Sequence, residues 1–158
     1  LEGRRAMPVE VQALVNVTSA PNPRRVTNGV DSSRVAMILA ILERRAGVKV
    51  SDKDVYVSTV GGVRLIEPAA DLAIAIAVAS AMQDFAVPHE VAAVGELSLA
   101  GEIRPVTMAG QRSGEAKRLG YTSVVDSDAL TLDPAIKQIK ALAARAVGHA
   151  KLQDVPEF

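Results

Sequence analysis

The alternation of apolar and polar positions divides this 158-residue chain into short strands and apolar or amphipathic helices. Residues 9–17 (VEVQALVNV) and 54–60 (DVYVSTV) alternate with many β-branched side chains and predict strands with one buried face. An N-cap signal at Asp31 precedes residues 34–47, whose apolar side chains recur at helical spacing. Residues 72–82 (LAIAIAVASAM) are apolar on nearly every side, which predicts a helix packed between two layers.

The remaining predicted elements are short. They are a continuation of the second strand over 63–66, a hairpin or tight strand pair over 91–94 and 97–99 with a turn at 101–106, a helix over 109–119, a strand over 122–125 and a helix from 133 to about 147. The predicted order, β-β-α-β-α-β-β-α-β-α, does not alternate strands and helices strictly, which favours an α+β domain with a mixed sheet covered by helices over a doubly wound parallel sheet. We expect one domain over residues 1–147 and a loosely ordered tail over 148–158.

The amino-acid composition limits the kinds of site that this chain can form. Hydrophobic residues make up 49% and charged residues 23%, as in globular proteins. The absence of cysteine excludes disulfides, thiolate nucleophiles and cysteine zinc sites, and two histidines are too few for a histidine-rich metal site. The net charge is zero, but residues 1–50 carry eight Lys/Arg against four Asp/Glu. This basic first third fits a phosphate-binding face and a set of ordinary solvated arginines equally well.

Several enzyme and membrane signatures are missing. No Gly-x-x-x-x-Gly-Lys-Ser/Thr loop occurs, so this chain is not itself a P-loop ATPase, and no Gly-x-Ser-x-Gly surrounds any serine. No signal peptide is visible, and the longest apolar stretch, 72–82, is half a membrane span. We therefore expect a cytoplasmic chain with no membrane contact. Because it does not begin with Met, we expect it to be a piece of a longer protein.

Several motif blocks occur in a characteristic order. After EG at 2–3, they read PVEVQALV at 8–15, NPRR at 22–25, DVYV at 54–57 running into GGV, ADLA at 70–73, and GELSLAGEIRPV at 95–106. Together they resemble the C-terminal Lon-protease-like domain of the bacterial RadA (Sms) family of DNA repair and recombination proteins, over roughly residues 1–147. The last block alone is shared with Lon proteases and ComM-type magnesium-chelatase relatives, and by itself would name only the superfamily.

The resemblance implies a fold of the Lon proteolytic-domain type (ribosomal protein S5 domain 2-like) assembled as a hexameric ring. It implies a parent that is a DNA-dependent ATPase and helicase, which drives branch migration of recombination intermediates. ATP, Mg and zinc would bind only the parent's upstream domains, so we expect no cofactor and no metal in this chain.

The resemblance also addresses proteolysis. An active Lon domain has its serine in Pro-Ser-Ala-Gly, where this chain has PAAD, so Ala69 stands at the nucleophile position. The lysine position aligns with Gln111 or Arg112, because a one-residue gap leaves the choice open. A methyl group cannot attack a carbonyl, and arginine stays protonated. We therefore expect no catalytic residues here.

Without catalytic residues, the function that we expect of this chain is the binding of a partner. The expected partner is single-stranded or branched DNA, contacted through its backbone without sequence preference. The candidate contacts are Arg24, Arg25, Arg34, Arg64, Lys117 and Arg118; for Arg104 a structural role in the turn is favoured. Two alternatives stay open: an oligomerising platform without DNA contact, and a Ser/Lys peptidase whose serine lies elsewhere.

Overall fold

A computed structural model describes the backbone of residues 7–18 and 20–153, with side chains up to residue 146. Within these residues the order is β1 (Val11–Val17), β2 (Arg25–Asn28), α1 (Ser32–Ala46), β3 (Lys53–Thr59), α2 (Asp71–Gln83), β4 (Val91–Ala93), β5 (Glu96–Leu97), β6 (Ile103–Arg104), α3 (Ala109–Arg118), β7 (Ser123–Val125) and α4 (Leu132–Gln153). Short 3-10 turns lie at Val60–Gly62, Pro68–Ala70 and Ser127–Ala129. The order follows the predicted one, with one additional short strand between α2 and α3.

The largest sheet is mixed. Its strand order is β1-β3-β2, with β3 antiparallel to β1 and parallel to β2. The side chains of β3 alternate, and its inward members Val55 and Val57 are buried. Two smaller sheets pair β4 with β7 in parallel and β5 with β6 antiparallel. This arrangement confirms an α+β architecture containing a mixed sheet.

The first helix begins and ends at the predicted signals. The Asp31 carboxylate accepts a hydrogen bond from the Arg34 backbone N–H at 3.2 Å, which satisfies one of the free donors of the first turn. At the other end Gly47 adopts a left-handed φ of 68° and its N–H bonds the Leu42 carbonyl. Between these caps α1 buries Val35, Ile38, Leu39, Ile41 and Leu42.

The second helix is the centre of the core. It packs against β1, α1 and α4, and Leu72, Ala75, Val78 and Ala79 are fully buried. This confirms the helix packed between layers that the apolar run predicts. A helix in this position orients the 3-10 turn Pro68–Ala70 that leads into it, and Ala69, the predicted degenerate nucleophile position, lies in that turn.

The predicted strand over 91–94 does not form a hairpin with its neighbour, and this expectation was wrong. The chain changes sheets at Gly95, whose N–H donates to the Ala69 carbonyl at 2.9 Å and whose carbonyl accepts from the Leu72 N–H at 3.1 Å. These bonds to the start of α2 separate β4, which pairs with β7, from β5, which pairs with β6.

The predicted continuation of the second strand over 63–66 was also wrong. Gly61 takes a positive φ of 80° inside the 3-10 turn that follows β3, which bends the chain away. Leu65 returns only as an isolated bridge to Val30, with its N–H on the Gly29 carbonyl at 2.7 Å.

The last helix is longer than expected. It continues to Gln153 rather than ending near residue 147, because one glycine inside a helix costs only about 1 kcal/mol. The loose order expected for 148–158 stays a prediction, with 154–158 outside the described residues. Residues 1–6 of the predicted domain also lie outside them.

Candidate functional site

One large groove contains both positions of the expected degenerate dyad. Its volume is about 1600 Å³, and residues of β1, α2, β4 and α3 line it. Ala69 contributes from the 3-10 turn before α2, and Arg112 contributes from the second turn of α3. Gln111, the alternative for the second position, lies outside the described lining. The fold thus brings position 69 and position 112 to one groove.

The arginine in this groove is held by neighbouring oxygens. Its Nη2 lies 2.7 Å from Glu67 Oε2, and its Nε donates to the Thr107 carbonyl at 2.9 Å. Glu67 has a pKa below its ordinary value: partial burial works against this shift, and the hydrogen bond and charge of Arg112 are among the causes that lower the pKa. The pair is partly buried, with 15% of the Arg112 side chain and 34% of the Glu67 side chain exposed. A guanidinium in this position binds a carboxylate and cannot accept a proton.

The two serine hydroxyls of the groove bond to carbonyls. Ser80 Oγ donates to the Ala77 carbonyl at 2.7 Å, as expected for a serine in an apolar helix, and Ser58 Oγ donates to the Thr59 carbonyl at 3.1 Å. The groove's histidine, His89, is fully exposed and lies 3.8 Å from Glu90. No lysine belongs to the described lining. Neither of these serines is therefore paired with a base in the part of the chain described.

Arg34, one of the candidate DNA contacts, is bonded to a buried carboxylate. Its Nε donates to Asp71 Oδ1 at 2.8 Å and its Nη2 donates to Asp71 Oδ2. Asp71 is 1% exposed, and its Oδ2 also accepts the Leu97 N–H at 3.0 Å. Glu96 lies 3.9 Å from the same guanidinium. This carboxylate connects α1, α2 and β5, which gives Arg34 a structural role; its DNA contact stays a prediction.

Sequence position alone suggests a different role for Asp71. It lies in the first turn of α2, where the positive end of the helix dipole favours a carboxylate. The ion pair with Arg34 crosses 37 positions of sequence and was missed. The available signal was an acid at the edge of a fully apolar run, since a buried carboxylate requires a cationic partner.

The NPRR block places its two arginines differently. Arg25 donates from its guanidinium to the carbonyls of Lys53 and Val50, the latter at 2.8 Å, and so fastens β2 to the loop before β3. The Arg24 backbone N–H donates a hydrogen bond to Asp54 Oδ1 at 2.7 Å. The Arg24 side chain is exposed and makes no hydrogen bond or ion pair with the described residues. Arg24 is thus the freer of the two to meet a phosphate.

The other cationic candidates lie elsewhere. Arg64 is exposed at the groove. Lys117 and Arg118 are exposed in the last turn of α3, where Arg118 Nη2 lies 2.5 Å from Glu115 Oε1. Arg104 is exposed on β6. The six predicted contacts are spread over the start of β2, α1, the segment after β3 and α3, and their contact with DNA stays a prediction.

Among the described residues no group of three or more His, Asp or Glu side chains is placed to hold a metal ion. No helix in that same part of the chain combines the length and apolarity needed to cross a bilayer.

Comparison with known families places the chain. A family model described as subunit ChlI of Mg-chelatase matches residues 27–130, about two thirds of the sequence. The chain belongs to this family. The ChlI match includes both groove positions, Ala69 and Arg112, and the block at 95–106 that is shared with magnesium-chelatase relatives.

Individual relatives carry a more specific name. The DNA repair protein RadA of Mycolicibacterium smegmatis is 48% identical over all of this chain and 33% of its own length. RadA of Halalkalibacterium halodurans is 46% identical over 81% of the chain and 28% of its length. RadA of Streptococcus pneumoniae is 42% identical over 93% and 35%. The chain spans about a third of these relatives, and its predicted resemblance to RadA is confirmed.

Proposed function

We propose that this chain is a non-proteolytic Lon-like scaffold, which binds DNA and hexamerises within a RadA-type, ATP-dependent branch-migration helicase of recombinational repair. The observation that carries the proposal is the identity of 42–48% with DNA repair proteins named RadA. A shared repair role follows from that likeness. The Lon-like ring and the DNA contact are the finer parts of the proposal, and each has its own test.

The residues of the groove support the absence of proteolytic activity. Ala69 offers no atom that can attack a peptide carbonyl, and Arg112 is bonded to Glu67. The groove serines donate their protons to backbone carbonyls. A fluorogenic peptide assay tests this: we expect no hydrolysis above background. Turnover that persists after purification to homogeneity would revive the Ser/Lys peptidase reading.

The scaffold role concerns the longer protein. The chain spans about a third of its relatives, so ATP, Mg and zinc would be bound by the other two thirds. A ring of six copies would stiffen a coaxial motor and extend its channel. Light scattering at high concentration tests the ring, and a strict monomer would mean that the hexamer depends on the other domains.

DNA binding is tested with a salt series on single-stranded and duplex DNA. The variant Arg24→Ala/Arg64→Ala removes two exposed cations whose side chains make no hydrogen bond or ion pair with the described residues. We expect weak binding by wild type that falls with salt, and a shallower salt dependence for the variant. No affinity at low salt would favour the oligomerising platform without DNA contact.

A further inference from the structure

The fold gathers several cations at one end of the large sheet. The last turn of α1 carries Arg44 and Arg45, and the loop after it carries Lys49. The Arg25 guanidinium bonds the Val50 carbonyl in this loop, and the Ser51 N–H bonds a carboxylate of α1. These contacts join the end of α1, the loop and the start of β2. We define the basic end as Arg24, Arg25, Arg44, Arg45, Lys49 and Lys53.

Carboxylates at this end are few and occupied. Glu43 Oε1 accepts from the Ser51 N–H at 3.1 Å, Asp52 Oδ1 lies 2.9 Å from Lys53 Nζ, and Asp54 accepts from the Arg24 N–H. Six cations therefore face three acids, a local charge of +3 in a chain of zero net charge. The last-turn carbonyls of α1 carry only about half a negative charge, which the two arginines there exceed.

Three cations of the basic end are free for a partner. Arg24, Arg44 and Lys49 are exposed, and their side chains make no hydrogen bond or ion pair with the described residues. The other members are tied in different ways: Arg25 and Arg45 donate to backbone carbonyls, and Lys53 pairs with Asp52. The carbonyl-bound arginines keep their positive charge, so they still raise the electrostatic potential that an anionic partner meets at this surface.

We infer that the basic end is a surface for the sugar-phosphate backbone of nucleic acid, with Arg44 and Lys49 as contacts beside Arg24. This inference rests on the proposed DNA-binding role and gives it a location. Five of its six cations are exposed and none of the six lines the groove, which suits an extended polyanion better than a small anion. The groove itself has two arginines against three glutamates in its lining and is unsuited to phosphate.

The test removes the two newly assigned charges. Arg44→Ala/Lys49→Ala is compared with Lys137→Ala/Arg145→Ala, a matched control that removes two exposed cations from α4. Single-stranded DNA binding is measured by anisotropy over a salt series. We expect the first variant to reduce the log–log salt slope by about 1.4, since each lost phosphate contact removes about 0.7, and the control to follow wild type.

The outcomes separate the two proposals. Wild-type binding with equal slopes for both double variants would overturn the basic end and leave the DNA-binding role intact. No wild-type binding at low salt would overturn the DNA-binding role, and this inference with it. A polyglutamate chain that displaces DNA as well as unlabelled DNA of equal charge would assign the surface to an acidic protein partner and overturn the inference. Far-ultraviolet dichroism of each variant excludes unfolding as the cause.

Discussion

Two arginine–carboxylate pairs in this molecule differ in geometry and in surroundings: Arg34 bonds both oxygens of Asp71, whereas Arg112 bonds Glu67 through Nη2 and a backbone carbonyl through Nε. Arg34 and Asp71 join α1 to the start of α2, where the carboxylate is 1% exposed and also accepts a backbone N–H. Arg112 and Glu67 join α3 to the segment before α2, where a third of the glutamate side chain is exposed. The first pair is surrounded by the core, and the second lies at the groove.

The helices that carry these pairs differ in the same way. α2 buries most of its side chains, whereas α3 buries none and contains two glycines that face open space. The groove wall formed by α3 therefore contributes little to the core. We therefore expect substitutions on this wall to cost less stability than substitutions at the start of the buried helix α2.

The largest expected effect is at the core pair. Asp71→Ala leaves the Arg34 guanidinium without its carboxylate and the Leu97 N–H without its acceptor. Removing one partner of a buried pair costs about 3–5 kcal/mol, and the partial exposure of Arg34 favours the lower end. Urea denaturation measures the loss in the free energy of unfolding.

A conservative variant identifies the cause. Asp71→Asn retains one oxygen that can accept from Leu97, but it loses the charge and presents an NH2 donor to the Arg34 guanidinium, so we expect it to cost less than Asp71→Ala. Equal losses for the two variants would show that the charge and the second acceptor oxygen, rather than the bond to Leu97, stabilise this junction. A loss below about 1 kcal/mol for Asp71→Ala would remove the contrast between core and groove.

The second-largest effect is expected from a steric change in the same region. A Cβ at Gly95 would lie 2.5 Å from Ile103 Cγ2 and 3.5 Å from Leu72 Cδ2, at the point where the chain changes sheets. Overpacking of this kind costs about 1–3 kcal/mol. Gly95→Ala should therefore lower the urea midpoint, and a midpoint equal to that of wild type would show that the α2–β5 junction yields without cost.

Local signals allowed much of the fold to be predicted from sequence. Asp31 and Gly47 bound α1 because side-chain capping and a positive φ are properties of single residues. The apolar run of α2 required burial on all sides. The sheet change at Gly95 and the pair of Arg34 with Asp71 depend on contacts between distant segments, which no local pattern contains.

The site was predicted less completely for the same reason. Motif alignment pointed to position 69 and to either 111 or 112, and the groove contains 69 and 112. Alignment could not show that Arg25 bonds the carbonyls of Lys53 and Val50 and so ties β2 to the loop that carries Lys49. A charge pattern gives the number of cations, whereas their availability depends on the partners that folding supplies.

The groove pair should have a small, pH-dependent effect. The folded-state pKa of Glu67 is lowered, so its contribution to stability is present at neutral pH and is lost as pH falls below about 4.3 through the folded value. Arg112→Ala removes one of the causes and should cost about 0.5–1 kcal/mol at pH 7, because the pair is partly exposed. The difference from wild type should shrink in acid; a difference that is constant from neutral pH to acid would assign the loss to packing.

The smallest effect should have the opposite sign and lie in α3. Gly114 is inside this helix with nothing within 4 Å of an added Cβ, so Gly114→Ala should stabilise the helix by about 0.5–1 kcal/mol. Gly47→Ala is the matched control: its Cβ also meets open space, but its φ of 68° makes the same substitution destabilising. Because α3 buries no side chain, the gain should appear as slower amide exchange within α3 and leave the global urea midpoint nearly unchanged. A midpoint that rises by the full gain would place α3 in the same cooperative unit as α2, and the groove wall would then belong to the core.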